Sequence, residues 1–244
     1  MIVRPFGRRR ALRLLVSAGA GTLIHTSMSA QPNASALAVA DHLLLGTNDR
    51  DGGIAWFEQR TGVRAAVGGS HPGRGTRNAL AGLGGRQYLE IIAPDPAQPA
   101  DNPRRNLRTL AEPKLIAWAA ATTDIDALAR RLRERGDAPQ IQDGSRARPD
   151  GRMLKWRTLA VPSDLAGGAV DPIPFFIEWA PGTMHPSEDS PEGCQLAAFE
   201  FEHPNPKALE SALAALGINA SVRQAAEVRL LATLKSPRGS VGLT

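Results

Sequence analysis

Short apolar runs and helical stripes recur along the chain in a fixed order. From Asp41, the segment DHLLLGTND reads as a strand, with His42 and Leu44 on one face and Leu43 and Leu45 on the other. DGGIAWFEQRTG then carries Ile54 and Phe57 at helical spacing, with Gly62 past the end. RAAVGG, RNALAGL and RQYLEIIA follow as three short strands, the last two joined by the hairpin signal Gly84-Gly85. The unit is therefore β-α-β-β-β. In its last strand Glu90 shares a face with Tyr88 and Ile92, opposite Leu89 and Ile91.

Pro94 to Pro113 is rich in Pro, Asp and Asn and reads as a connector. The order then recurs: KLIAWAAATTD as a strand, IDALARRLRERG as an amphipathic helix, and strands around Ile141, at RMLKWRTLAV and at PFFIEWA. A smaller third copy starts at CQLAAFEFE, continues through the helix NPKALESALAALG, and closes with strands at ASVRQ, EVRLLATL and GSVGL. Repetition of one element order is a fold-level signal. It predicts an α+β protein of tandem βαβββ modules, with concave mixed sheets and helices on the outer face. The expected boundaries are 1–30 for an export signal, 31–113 for the first module and connector, 114–194 for the second, and 195–244 for the third.

The leader changes the picture given by charge. The 244 residues sum to +5, which alone would suggest a polyanionic partner. Residues 1–30 hold Arg4, Arg8, Arg9, Arg10 and Arg13 and no acid, so the remainder carries 24 basic and 24 acidic residues. A balanced surface with few aromatics argues against nucleic acid. GRRRALRLL, an apolar run from Leu14 to about Ile24, and SMSAQP have the three-region layout of an export signal cleaved near Ala30. Arg9-Arg10 resembles a twin-arginine pattern, with a Sec signal as the alternative. The run is too short for a stable membrane anchor, so the expected location is periplasmic or secreted. Cys194 is the only cysteine, which excludes an internal disulfide and leaves burial or a homodimer contact.

The blocks DHLLLGTND, GGSHPGRGTRNALAGLGGRQYLEIIAPDP, WRTLAV, PFFIEWAPGTMHP and SPRGSVGL resemble the glyoxalase-like branch of the vicinal oxygen chelate superfamily. In that superfamily paired modules form a concave sheet that often holds a divalent metal, with ligands from the first and last strands of each module. The resemblance implies His42, Glu90 and Glu178 as ligands of Mn, Fe, Zn or Mg. The fourth position aligns with Ala117 or Trp118, neither of which binds metal. Without an ion, Glu90 and Glu178 could face water or pair with Arg86 or Arg157.

The loop SHPGRGTRN adds His71, Arg74, Arg77 and Asn78 as groups able to hydrogen-bond a small oxygenated molecule, and His185 follows Glu178 closely enough to cap the same cavity. Two functions fit. One is a metal-dependent lyase, isomerase or dioxygenase in which His71 or Glu178 moves a proton. The other is a metal-free periplasmic protein that binds or sequesters a small molecule. The leader carries its own test: replacing Arg9-Arg10 by Lys-Lys should abolish periplasmic accumulation in a fractionated culture. Undiminished accumulation would assign the signal to the Sec route.

Overall fold

The computed structural model describes residues 34–99 and 106–244, so the predicted leader lies outside the described residues. A short strand β1 (Ala34–Ser35) and a single turn α1 (Ala36–Val39) lead into the first module, β2 (Ala40–Gly46), α2 (Arg50–Thr61), β3 (Ala66–His71), β4 (Thr76–Gly82) and β5 (Tyr88–Pro94). The second module is β6 (Lys114–Ala121), α3 (Ile125–Glu134), β7 (Gln140–Ala147), β8 (Met153–Ala160) and β9 (Phe175–Trp179). The chain ends with β10 (Gln195–His203), α4 (Pro206–Ala215), β11 (Ile218–Asn219), β12 (Val222–Gln224), β13 (Arg229–Ser236) and β14 (Gly239–Leu243). Gly84 and Gly85, both at positive φ, form the turn between β4 and β5 as their sequence predicts.

Both modules belong to one eight-stranded mixed sheet of order β3-β4-β5-β2-β6-β9-β8-β7. In each module the first strand lies parallel to the last, and the modules meet where β2 runs antiparallel to β6. Asp49 and Asp124 start the two helices in the same way, accepting from Gly52 N–H and Ala127 N–H at 2.8 Å each. The offset that superposes these caps also takes His42 to Ala117 and Leu44 to Ala119. The pairs His42–Ala119 and Leu44–Ala117 duly exchange, which makes the joint a pseudo-twofold.

The third unit repeats the element order with different wiring. Its sheet runs β12-β10-β13-β14, so the first strand is internal and pairs with both β12 and β13. In the tandem modules the second edge of the first strand is taken by the other module. β10 has no such partner, and β12 fills that edge after the α4 crossover. This four-stranded sheet covers the outer face of the joint. Trp118 of β6, fully buried, meets the Phe199 ring edge-on at 5.2 Å and Phe201 at 5.8 Å, while its Nε1–H donates to the Pro172 carbonyl at 2.9 Å. Leu43, Leu45, Leu89, Ile91, Phe57, Leu132 and Cys194 share that core. Among the described residues no helix is long and apolar enough to cross a membrane.

The large sheet curls until its two edge strands approach. Gly69 of β3 lies so near β7 that a Cβ there would sit 2.8 Å from the Ala147 carbonyl oxygen, and one at Gly68 would sit 2.2 Å from Asn78 Oδ1. The inner face lies within that curl. Gly69→Ala should force these backbones apart at a cost of about 1–3 kcal/mol, read as a lower denaturant midpoint. An unchanged midpoint would mean that the edges are not held this close.

Candidate functional site

Alternation along β2 and β5 sends Leu43, Leu45, Leu89 and Ile91 outward to the core and turns His42, Tyr88 and Glu90 inward. Hydrogen bonding across β4 and β3 adds Asn78 and His71. Glu90 accepts from Asn78 Nδ2 at 2.7 Å through Oε1, lies 3.4 Å from His71 Nε2 through the same oxygen, and lies 3.6 Å from His42 Nε2 through Oε2. The Asn78 amide has one possible orientation. Its Oδ1 accepts from the Gly69 N–H at 3.0 Å, so its Nδ2 must face Glu90. His71 Nδ1 contacts Thr76 Oγ1 at 2.9 Å.

A second layer holds His42. Asp41 Oδ1 sits 2.7 Å from His42 Nδ1, while its Oδ2 sits 3.0 Å from His185 Nε2 and accepts from Trp179 Nε1–H at 3.1 Å. The other His185 nitrogen contacts Ser187 Oγ at 2.7 Å, and His185 also caps the turn that follows β9. Tyr88 stacks on His42 with ring centroids 4.5 Å apart. Anchoring Nδ1 to a carboxylate turns the Nε2 of His42 toward Glu90 and fixes the ring orientation.

The electrostatics follow from burial. Removal from water opposes ionisation of Asp41, but hydrogen bonds from His185 and His42 outweigh it and hold the carboxyl below the usual range. Burial likewise opposes charge on Glu90, and is overcome by His71, His42, the Asn78 bond and Arg146, so its pKa is lowered. Burial is the main cause that lowers the pKa of His71, against the opposing pull of the Glu90 charge. Burial, with Asp41 and Glu90 nearby, pushes Tyr88 well above 10, so its hydroxyl keeps its proton. Beside this cluster, on the far side of Asp41, a cleft of about 880 Å³ opens between Trp156, Trp179, Ile177, Arg86 and Lys155.

His42, Glu90, His71, Asn78 and His185 are thus brought together. Three expected residues are not. Glu178 alternates with Ile177 and Trp179 and points to the helix side, where it lies 3.4 Å from Ile125 N–H and 3.6 Å from Arg157 Nη1. It cannot share an ion with His42 and Glu90, nor act as a base beside them. Its ion pair with Arg157 is the arrangement that the sequence offers without a metal. Arg77, next to Asn78 on the same strand, points to the opposite face toward Asp49 at 3.7 Å. Arg74 is exposed at the rim, with Nη2 3.5 Å from Gln142 Oε1, and only its charge reaches His71. Asp41, Trp179 and Arg146 were not anticipated; only Asp41 left a signal, as a carboxylate preceding a histidine on an apolar strand.

A family model described as a glyoxalase-like domain matches residues 40–217. The chain belongs to the glyoxalase-like family of the vicinal oxygen chelate superfamily. This glyoxalase-like chain is similar in fold to a hypothetical protein from Staphylococcus aureus, at 13% identity and a TM-score of 0.61 over 78% of this chain and 87% of that one. It is also similar to methylmalonyl-CoA epimerase from Mycobacterium tuberculosis, at 23% identity and a TM-score of 0.42, over 60% of this chain and 91% of that one. The Streptomyces coelicolor methylmalonyl-CoA epimerase in complex with 2-nitronate-propionyl-CoA gives 20% identity and a TM-score of 0.40, over 57% and 94%. No curated protein matches the chain.

The lowered pKa of Asp41 has a consequence for stability. A carboxylate whose folded pKa lies below its unfolded value of about 3.9 stabilises the fold above that value and loses the contribution as pH falls through the folded one. Asp41→Asn should therefore cost about 3 kcal/mol at neutral pH, the scale of breaking a buried ion pair. The gap to the unmodified protein should shrink below about pH 4. Urea denaturation of both proteins across pH checks this; a gap that stays constant with pH would show that Asp41 is not the ionised hub.

Proposed function

We propose that this chain is a small-molecule enzyme that moves a proton to and from a carbon next to a carbonyl group, with Glu90 as the base. The observation that carries the reading is the Glu90 carboxylate, 7% exposed on the inner face between two histidines and the Asn78 amide. The lowered pKa keeps Glu90 ionised, so it is ready to accept a proton from a carbon acid held against it. In the forward step Glu90 takes the proton and the electron pair moves onto the carbonyl oxygen, giving an enolate. Return of a proton to the carbon gives the isomer or epimer and regenerates the carboxylate. His71, 3.4 Å from Oε1 of Glu90, is the group that would exchange that proton. Asp41 acts through His42 and is a positioning residue.

The superfamily implies a divalent ion, and the donor set here does not fit one held by both modules. The pseudo-twofold takes the pair Leu44–Glu90 to Ala119–Phe175, so Phe175 stands where a second carboxylate would be and Ala117 where a second histidine would be. Phe175 meets the His42 ring edge-on at 5.6 Å. Among the described residues no group of three or more His, Cys, Asp or Glu has the disposition of a metal site. The same apolar half supports a second reading, binding or sequestration without turnover. For the compartment, the leader supports export to the periplasm.

Deuterium exchange separates the two readings. Small ketones, aldehydes and oxo acids incubated with the protein in D2O should lose C–H signal by NMR, and Glu90→Gln should slow this by roughly 10²–10⁴-fold, the usual weight of a general base. Binding with no exchange by the unmodified protein would favour sequestration. Equal exchange by Glu90→Gln would remove Glu90 as the base.

A further inference from the structure

The proton-transfer reading leaves one inner-face group unused. Arg146, on β7, is 4% exposed, and among the described residues its Nη1 has no hydrogen-bond partner. Arg77 and Arg148 each leave one nitrogen unpaired too, but each meets a carboxylate through another nitrogen, Asp49 and Asp189 respectively. Arg146 meets none within ion-pair distance among the described residues. Glu90 acts on it only from beyond ion-pair distance, and a buried guanidinium without a direct partner is costly unless something else satisfies it.

Its surroundings are built to hold it there. It comes from the edge strand of the second module and lies over Gly68 and Gly69 on the edge strand of the first. A Cβ at Gly68 would come 3.3 Å from Nη2, and one at Gly69 would come 3.4 Å from Nη1. Two adjacent positions without side chains thus give the planar head its room. Its charge is felt by Glu90, His71 and Tyr88, which places it beside the cluster, and Arg148 is the other cation acting on it. Glu90 is already engaged by Asn78 and flanked by both histidines, so the unpaired Nη1 is left for an incoming group.

We propose that Arg146 receives the carboxylate, or an equivalent planar oxyanion, of the small molecule bound inside the curled sheet. This rests on the proton-transfer reading for its substrate and narrows the class to small oxo or hydroxy acids. A planar fork of donors suits a carboxylate better than a point charge does. The two modules then divide the work: the first supplies the proton-moving groups, and the second supplies the anion anchor from the far edge of the sheet.

Oxalate, glyoxylate and glycolate serve as probes, titrated calorimetrically into the purified protein, Arg146→Met, Arg146→Lys and Glu90→Gln. At least one probe should bind the unmodified protein, and Arg146→Met should weaken it tenfold or more. Arg146→Lys, which keeps the charge and loses the fork, should also bind more weakly, and it replaces the Met variant if that one fails to fold. Glu90→Gln should bind at least as tightly, since a like charge is removed. Because this measurement needs no turnover, its outcome is independent of the deuterium exchange. Equal affinity in the Arg146 variants, or no binding of any probe to the unmodified protein, overturns the assignment and leaves Arg146 satisfied by water only.

Discussion

A carboxylate taken out of water must be surrounded by donors, and Asp41 is the carboxylate on which the inner face depends. Its partners come from three places in the chain: His42 beside it, Trp179 at the end of the second module, and His185 in the turn beyond. The interaction therefore ties the opening strand of the first module to the close of the second. It also orients the ring that faces Glu90. Removing it would loosen the joint and the site together, because one group serves both. The His185 turn gains its place for the same reason: a fully buried imidazole needs partners at both nitrogens, and Ser187 and Asp41 supply them.

Glu90 inherits this order. It sits on a strand whose neighbours are fixed by regular pairing, and its hydrogen-bonding amide is itself oriented by a backbone N–H of β3. Each step from backbone to carboxylate is a short contact, 3.0 Å and then 2.7 Å, so Glu90 has little side-chain entropy left to lose. The chain is a glyoxalase-like protein in which that precision is confined to one half of the sheet. The other half offers Ala117, Phe175, Trp156 and Trp179, a mostly apolar wall.

The two-module architecture is legible in the sequence because hydrophobic alternation and helix stop signals are local. The inward placement of His42 and Glu90 follows from the same alternation. Glu178 was misplaced because the register of β9 against β6 is a long-range property; the position equivalent to Glu90 is Phe175, and three residues along a strand reverses the face. Arg77 could have been rejected from parity alone, since it and Asn78 are adjacent on one strand and cannot both face inward. The wiring of the third unit depends on which edge of β10 is left unpaired. Arg146 reaches the site only because the sheet curls, which no local pattern encodes.

The covalent fusion of the two modules has a consequence for how the protein can change. Were the sheet assembled from two identical subunits, an exchange such as Glu to Phe at the last-strand position would appear twice and erase both copies of the acidic group. In a single chain each half mutates on its own. The proton transfer proposed for Glu90 can then be kept in residues 40–94 while the opposite wall is redrawn, one side chain at a time.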